Sequence, residues 1–216
     1  LPVTVGDDPW DVIVCHVPVD TTDPMYEPIA DRLDLTVPEI VAQLAPVVDY
    51  FGRWSQGRYR PVFAAGPEVS VAAADVGTDA SCADAALAAS SAGARGVLVI
   101  ADAQHSATTL GGWGRPGTPC PDEPCPARDT GRVVYIGAAD FMPYWYGDPP
   151  LDLVEHEMGH ALGWPHSSTS PDSFGQGVYD SVIDVMSNSA APRDTVPESR
   201  NAPGALALNL YLSGWI

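Results

Sequence analysis

Lysine is absent from this sequence. All ten basic residues are arginines, 28 residues are aspartate or glutamate, and the formal net charge at pH 7 is -18. Nucleic-acid backbones and anionic membrane surfaces are bound through basic patches, so the composition argues against both kinds of partner. A strong negative charge would attract a cationic substrate, but it also keeps a protein soluble, and we interpret the acidity as a solubilising surface.

Long hydrophobic runs are also missing. No stretch of about 18 or more apolar residues occurs, so no membrane-spanning helix is predicted. The first ten residues, "LPVTVGDDPW", have neither the basic start nor the apolar core of a signal peptide. Internal repeats and flexible linkers are lacking too. A chain of 216 residues is long enough to bury a core, and we expect a single domain.

Cysteine is scarce, and its four residues allow three pairings. Cys120 and Cys125 bracket the short "PDEP" segment, which predicts a small disulfide-closed loop and leaves Cys15 to pair with Cys82. The alternative is a zinc site made of four thiolates, but the CxxC pairs typical of such sites are missing. Two disulfides predict an oxidising compartment, and hence a secreted, extracellular protein.

The remaining sequence alternates between strand and helix patterns. Thr36 and Glu39 form a capping-box pattern that begins a helix, which Pro46 should kink or split. An alanine-rich helix ends at Gly93, and a short apolar helix near the C-terminus ends at Gly214. Apolar, β-branched runs predict strands at 11–20, 57–66, 68–73, 96–102 and 132–140. This alternation predicts a mixed α/β fold. Residues 103–131, rich in glycine and proline, are too long for a connector and predict a functional or disulfide-held loop.

Histidine is sparse as well, yet three of the five histidines lie in "VEHEMGHALGWPHS", residues 154–167. We expect a helix here, capped by Asp148 with Pro149 in its first turn. His156 and His160 are four residues apart, so both rings leave one helix face, a spacing that suits two ligands of one zinc ion. Gly163 allows the chain to turn, and His166 then supplies the third ligand.

Three nitrogen ligands leave one tetrahedral position open to water, which is typical of a catalytic zinc site. Glu157, next to the first ligand, is the candidate general base for that water. Glu155 is interpreted as a solvated helix charge. His16 and His105 have no metal-like spacing and are interpreted as incidental.

The segment "HEMGHALGWPH" matches the long zinc-binding consensus of the metzincin clan of zinc metallopeptidases, HExxHxxGxxH. This resemblance implies a turn that contains Met186, whose side chain forms a hydrophobic floor beneath the three imidazoles. It also implies a two-lobed catalytic domain. Residues 1–163 would hold the twisted mixed sheet and the active-site helix, and residues 164–216 a small irregular lobe that ends in a helix.

The same resemblance implies where substrate binds. Extended peptide would pair near strand 96–102 and the following loop, and the pocket wall would follow the Met-turn. The implied residues are Leu110, Gly111, Gly112, Trp113, Ser189, Ala190, Ala191 and Pro192. Trp113 either lines the cleft or covers core. Tyr179, Asp180 and Asp184 are candidate hydrogen-bond partners for the zinc histidines, and for each aspartate a turn-stabilising role is the alternative.

Individual residues resemble different families of the clan. Ser167 is what matrixins carry after the third histidine, whereas "GGWG" and "NAPG…YLSGWI" are similar to gametolysin-type secreted peptidases. Asn188 stands where astacins and serralysins have a tyrosine near the metal, so no fifth ligand is expected. Calcium is not predicted, because no Dx[DN]x[DN]G loop occurs.

These observations together predict a secreted, monomeric zinc endopeptidase that cleaves proteins and peptides and uses one catalytic zinc ion. The resemblance further implies an inhibitory propeptide, and we expect the chain to be the catalytic domain of a longer precursor. HExxH by itself also permits a zinc exopeptidase or a hydrolase of non-peptide amides. A catalytically silent binding module is the non-enzyme alternative, but neither Glu157 nor a ligand has been lost.

Overall fold

The structure is a computed structural model, and it describes residues 5–18, 33–72, 80–103, 111–120, 124–137, 151–167, 183–187, 194–196, 199–201 and 204–216. The strands in these ranges are β1 Gly6–His16, β2 Tyr59–Ala65, β3 Val69–Ser70, β4 Gly96–Ala101, β5 Gly112–Arg115, β6 Val133–Ile136, β7 Asp194–Val196 and β8 Ser199–Asn201. The helices are α1 Val37–Gln43, α2 Ala45–Trp54, α3 Ala80–Ala89, α4 Ala127–Thr130, α5 Leu151–Ala161 and α6 Ala207–Leu212.

Six strands form one mixed sheet in the order β2-β1-β4-β6-β5, with β3 paired to the far end of β1. The strands from β2 to β6 run parallel, whereas β5 is antiparallel to β6 and lies at the end of this order. β7 and β8 form a separate two-stranded sheet. The mixed α/β architecture predicted from the alternating patterns is confirmed.

Helices cover both faces of the sheet, which is why its central strands are apolar throughout. All six residues of β4 are buried. Leu98 and Ile100 pack with α1, α2 and α5 on one face, while Val97 and Val99 pack with α3 on the other. No helix in the described ranges is long and apolar enough to cross a bilayer.

The first helix predicted from the sequence is divided into two helices just before Pro46, as the proline indicated. Both the backbone N–H and the hydroxyl of Thr36 donate to Glu39 Oε2, at 2.8 and 2.7 Å, and so form the start of α1. α1 ends at Gln43, and α2 begins two residues later with Pro46 in its first turn. Proline lacks an N–H, so it is tolerated at a helix start but not within one.

The glycine-rich segment is more regular than its composition predicted. It contains β5 and α4, and α4 ends at Gly131 with a φ of 74°. β5 begins with Gly-Trp-Gly, residues 112–114, and this stretch carries no strand pattern in the sequence. Only the pairing of Trp113 with Tyr135 on β6 makes this segment a strand. Long-range pairing therefore overrides local propensity here.

Two disulfides join Cys15 to Cys82 and Cys120 to Cys125, which are the pairs expected from the sequence. The first links the end of β1 to α3, and the second joins two cysteines that are five positions apart in the sequence. Because a cross-link stabilises chiefly by restricting the unfolded chain, we expect Cys15→Ala/Cys82→Ala to cost about 4 kcal/mol and Cys120→Ala/Cys125→Ala about 2 kcal/mol. Chemical denaturation measures both, and equal losses would contradict the loop-length argument.

His16 forms hydrogen bonds with two carboxylates that the sequence did not indicate. Its Nδ1 lies 2.9 Å from Asp102 Oδ2 and its Nε2 lies 2.9 Å from Glu68 Oε2. Parallel pairing of β1 with β4 places the ends of both strands at one sheet edge, so Asp102 comes next to His16. Sequence spacing could not show this, because the two residues are 86 positions apart.

The hydrogen bonds to Asp102 and then to Glu68 raise the pKa of His16 above its usual 6.5. A histidine whose pKa is raised in the folded state stabilises the fold fully below about pH 6.5. This contribution to stability is lost as the pH rises through the folded-state pKa. We therefore expect His16→Gln to lower the Tm at pH 5 and to change it little at pH 9. The His16 side chain is 41% exposed, so the loss should stay below about 1 kcal/mol. An equal loss at both pH values would disprove the charge-linked effect.

Candidate metal centre

The histidine cluster begins on α5. His156 and His160 are one helical turn apart on one side of the helix, with ring centroids 4.8 Å apart. Leu151, Val154 and Met158 lie in the core cluster and anchor the helix against the sheet. The predicted cap and first turn, Asp148 and Pro149, lie outside the described residues.

A turn at Gly163 brings the chain that follows α5 back toward His160. Gly163 has a φ of 86°, its N–H donates to His160 O at 2.8 Å, and the Trp164 N–H donates to Gly159 O at 2.9 Å. This left-handed helix end is readily adopted by glycine. The buried Trp164 indole donates to Ser213 Oγ at 2.7 Å and so fixes the turn. His166 then lies with its ring centroid 4.4 Å from that of His160.

The three imidazoles present a donor set that fits a metal ion. His156 Nδ1 donates to Val185 O at 2.7 Å, and His160 Nδ1 donates to Trp164 O at 2.9 Å, so Nε2 of both rings keeps its lone pair. The potential ligand atoms of His156, His160 and His166 all lie within 4.8 Å of one another. Backbone carbonyls that orient a ring through Nδ1 are typical of zinc-binding histidines. The chemistry of this donor set therefore fits zinc.

The surroundings keep these rings uncharged. Burial lowers the pKa of His156 to about 4 and that of His166 to about 4, and it also lowers the pKa of His160. All three imidazoles are consequently neutral at pH 7. Neutral imidazole is the form that binds a metal, so no proton has to be displaced.

Glu157 is buried beside the histidines. Gly114 of β5 donates its N–H to the Glu157 carboxylate, while Oε2 has no hydrogen-bond partner within the described part of the chain. Burial raises the pKa of this carboxyl to about 8. One oxygen is thus held by the sheet edge, and the second is buried without a partner among the described residues.

Glu155 is fully buried, so its interpretation as a solvated charge is wrong. Packing explains this burial: β5, β6, β8 and α2 all contact α5, and of its residues only Leu153, His156 and His160 are partly exposed. Burial raises the pKa of Tyr50 on α2 well above its usual value, and the nearby charges of Glu155 and Asp184 raise it further. Glu155 therefore faces α2, away from Glu157.

Met186 packs against α5 at Gly159. It is fully buried, and a Cβ added at Gly159 would come within 2.5 Å of its sulfur. Met186 O also accepts a hydrogen bond from the Ser167 N–H at 3.0 Å. The floor implied by the clan resemblance is compatible with this packing. The close packing at Gly159 could not be predicted from the sequence, because it depends on Met186, which is 27 positions away.

The edge strand β5 packs directly on α5 through glycine. A Cβ at Gly112 would lie 2.9 Å from Glu157 Cγ, and one at Gly114 would overlap the Glu157 carbonyl oxygen. Trp113 points to the opposite face, where it stacks on Tyr135 with centroids 5.8 Å apart. Trp113 is thus packed against core on that face. β4 lies inside the sheet, so β5 and not β4 is the strand at this edge.

We expect Gly114→Ala to lower stability by about 1–3 kcal/mol, because the new methyl must push α5 away from β5. Gly52→Ala is the matched control: it lies in α2 with nothing within 4 Å of its added Cβ, and alanine there should add up to about 1 kcal/mol. Thermal and chemical denaturation measure both. A Gly114→Ala protein as stable as the parent would contradict the close packing.

Several residues named from sequence cannot be placed. Leu110, His105, Tyr179, Asp180, Asn188, Ser189, Ala190, Ala191 and Pro192 lie outside the described residues. Gly111 is described, with a φ of 93° and a carbonyl that accepts the Gly137 N–H at 2.7 Å. Asp184 is buried in the segment that carries Met186, and its described contacts are to backbone and polar groups near the turn.

Comparison with known proteins gave only distant similarities. No family model and no curated protein matches the sequence. Among solved structures, archaemetzincin from Methanopyrus kandleri is similar over 94% of this chain and 93% of its own, with 16% identity and a TM-score of 0.44. A chaperone–substrate complex is similar over 99% of this chain but 35% of that chain, with 11% identity and a TM-score of 0.43. Similarities this low do not place the chain in a family.

Proposed function

We propose that the protein is a secreted zinc endopeptidase of the metzincin type. One observation carries the proposal: three oriented, neutral imidazoles converge beside a buried carboxylate, in the HExxHxxGxxH arrangement. His156, His160 and His166 would hold the metal through ring nitrogens, with Glu157 next to them. The two disulfides support an oxidising, extracellular setting.

Zinc bound by these residues would supply Lewis acidity, which would make water a nucleophile near neutral pH and polarise a carbonyl. The chain supplies the proton transfers and the positioning. A cation bound at the histidines would lower the raised pKa of Glu157 and so favour its ionised form. Oε2 of Glu157 would then accept a proton from the attacking water and deliver it to the leaving amine. The Gly114 N–H keeps the other oxygen fixed, so the carboxylate need not reorient during the reaction.

Substrate would approach along the outer edge of the sheet. β5 ends the strand order and lies against α5, so an extended peptide aligned with this strand would run past Glu157. Backbone pairing of that kind favours an internal segment of a polypeptide over a free chain end. This placement supports an endopeptidase above an exopeptidase.

The zinc-loaded protein should digest casein and an end-blocked peptide library, lose activity with a chelator and regain it when zinc is added back. Mass spectrometry of the released peptides shows whether cuts are internal. Stepwise loss of terminal residues would indicate an exopeptidase instead. Full zinc binding without any cleavage would support the silent binding module and contradict our proposal.

A further inference from the structure

A buried carboxylate lies behind the histidine cluster. Asp184 is 1% exposed and begins a four-residue turn, in which the Ser187 N–H donates to Asp184 O at 3.1 Å. Its side chain accepts the Met186 N–H, two residues on, as aspartates do in Asx-turns. It also accepts the Leu206 N–H at 3.2 Å. One side chain therefore ties the turn to the segment that leads into α6.

The two carbonyl oxygens in the middle of this turn, those of Val185 and Met186, each accept a hydrogen bond from a segment that carries a candidate zinc ligand. Val185 O accepts the His156 Nδ1 hydrogen at 2.7 Å. Met186 O accepts the N–H of Ser167, the residue after His166, at 3.0 Å. The turn thus positions two of the three imidazoles, one through its ring and one through its backbone.

Further contacts lock the turn against the rest of the molecule. The Val185 N–H donates to Gly204 O at 2.7 Å, and that carbonyl also accepts the Tyr50 hydroxyl at 2.6 Å. Burial raises the pKa of Asp184 above its usual value, and hydrogen bonds from the Met186 and Leu206 N–H groups and from Ser167 and Asn209 offset only part of this rise. The hydrogen bonds described for Asp184 go to backbone N–H groups and polar side chains and not to an imidazole, so we argue its effect on the site through the turn.

We propose that Asp184 is the positioning residue of the three-histidine site: by holding the turn, it places the Val185 carbonyl that fixes the tautomer and orientation of His156. The alternative from sequence, direct contact between Asp184 and a zinc histidine, is not what the described contacts show. Loss of an outer hydrogen-bond partner of this kind costs about 10–100-fold in metal affinity.

The test compares Asp184→Ala with Asp11→Ala. Asp11 is a matched control, because it is also buried and accepts the N–H and hydroxyl of Ser91, at 2.6 and 3.2 Å, with no role near the histidines. Nitrogen NMR of the metal-free proteins reports the His156 tautomer, and competition with a chelator reports the zinc dissociation constant. Asp184→Ala should mix the tautomers and weaken zinc binding by about 10–100-fold. Asp11→Ala should lower the Tm and change neither readout.

Two further variants cover the case in which Asp184→Ala does not fold. Asp184→Asn keeps an acceptor oxygen in place, so the parent tautomer and near-parent zinc affinity are expected. Asp184→Glu keeps the charge but moves the carboxylate by one methylene, so it should disturb both readouts more than Asn does. The reverse order, or unchanged readouts in Asp184→Ala and Asp184→Glu, would overturn the inference. Only the zinc readout rests on the proposed function, since a parent protein that binds no zinc would refute that function while the tautomer still tests Asp184.

Discussion

Glu157→Gln is expected to lower kcat/KM for peptide hydrolysis by about 10²–10⁴-fold while zinc stays bound. The amide keeps the size of the side chain but cannot accept a proton from water. Because Glu157 is buried and its carboxyl carries a raised pKa, removing the charge should not destabilise the fold. Reduced turnover in a stable, zinc-loaded protein would therefore report lost proton transfer.

Glu155→Gln is the matched control for this substitution. It also removes a buried carboxylate from α5, two residues earlier, but on the side that faces Tyr50. We expect its kcat/KM per folded molecule to stay within a few-fold of the parent, since general-base catalysis does not involve it. If Glu157→Gln retained activity within about tenfold of the parent, another base would be required.

His166→Ala is expected to weaken zinc binding by more than about 100-fold. This exceeds the loss expected when a zinc ligand merely loses a hydrogen-bond partner, because here a ligand itself is removed. Peptidase activity should disappear at zinc concentrations that saturate the parent protein. His166 lies beyond the glycine turn, so its removal leaves the helix and its two histidines in place. Chelator competition and metal analysis after gel filtration measure the effect.

His16→Ala is the control for removing a histidine. His16 is bound to carboxylates at the end of β1 and belongs to a different cluster from the zinc candidates. Its loss should leave zinc stoichiometry and activity unchanged. Unaltered zinc affinity in His166→Ala, or lost affinity in His16→Ala, would refute the assignment of the ligands.

Local patterns in the sequence were sufficient for the features that depend on neighbouring residues. The spacing of His156 and His160 on a helix, the glycine turn at Gly163 and the return to His166 all follow from short-range geometry. The same holds for the capping box at Thr36 and the helix break before Pro46. Each involves backbone preferences or hydrogen bonds within a few residues, which can be recognised from the local sequence.

Tertiary structure alone decided the features in which distant segments meet. Glu155 is buried because α2 covers its side of α5, and β5 is a strand because β6 pairs with it. The glycines at 114 and 159 matter only because Glu157 and Met186 lie against them. Asp184 gains its role from Leu206 and from the carbonyl of its neighbour, Val185. Sequence supplies the candidate ligands and the proposed base, but close packing between remote segments orients them, because a side chain's surroundings depend on every element that packs around it.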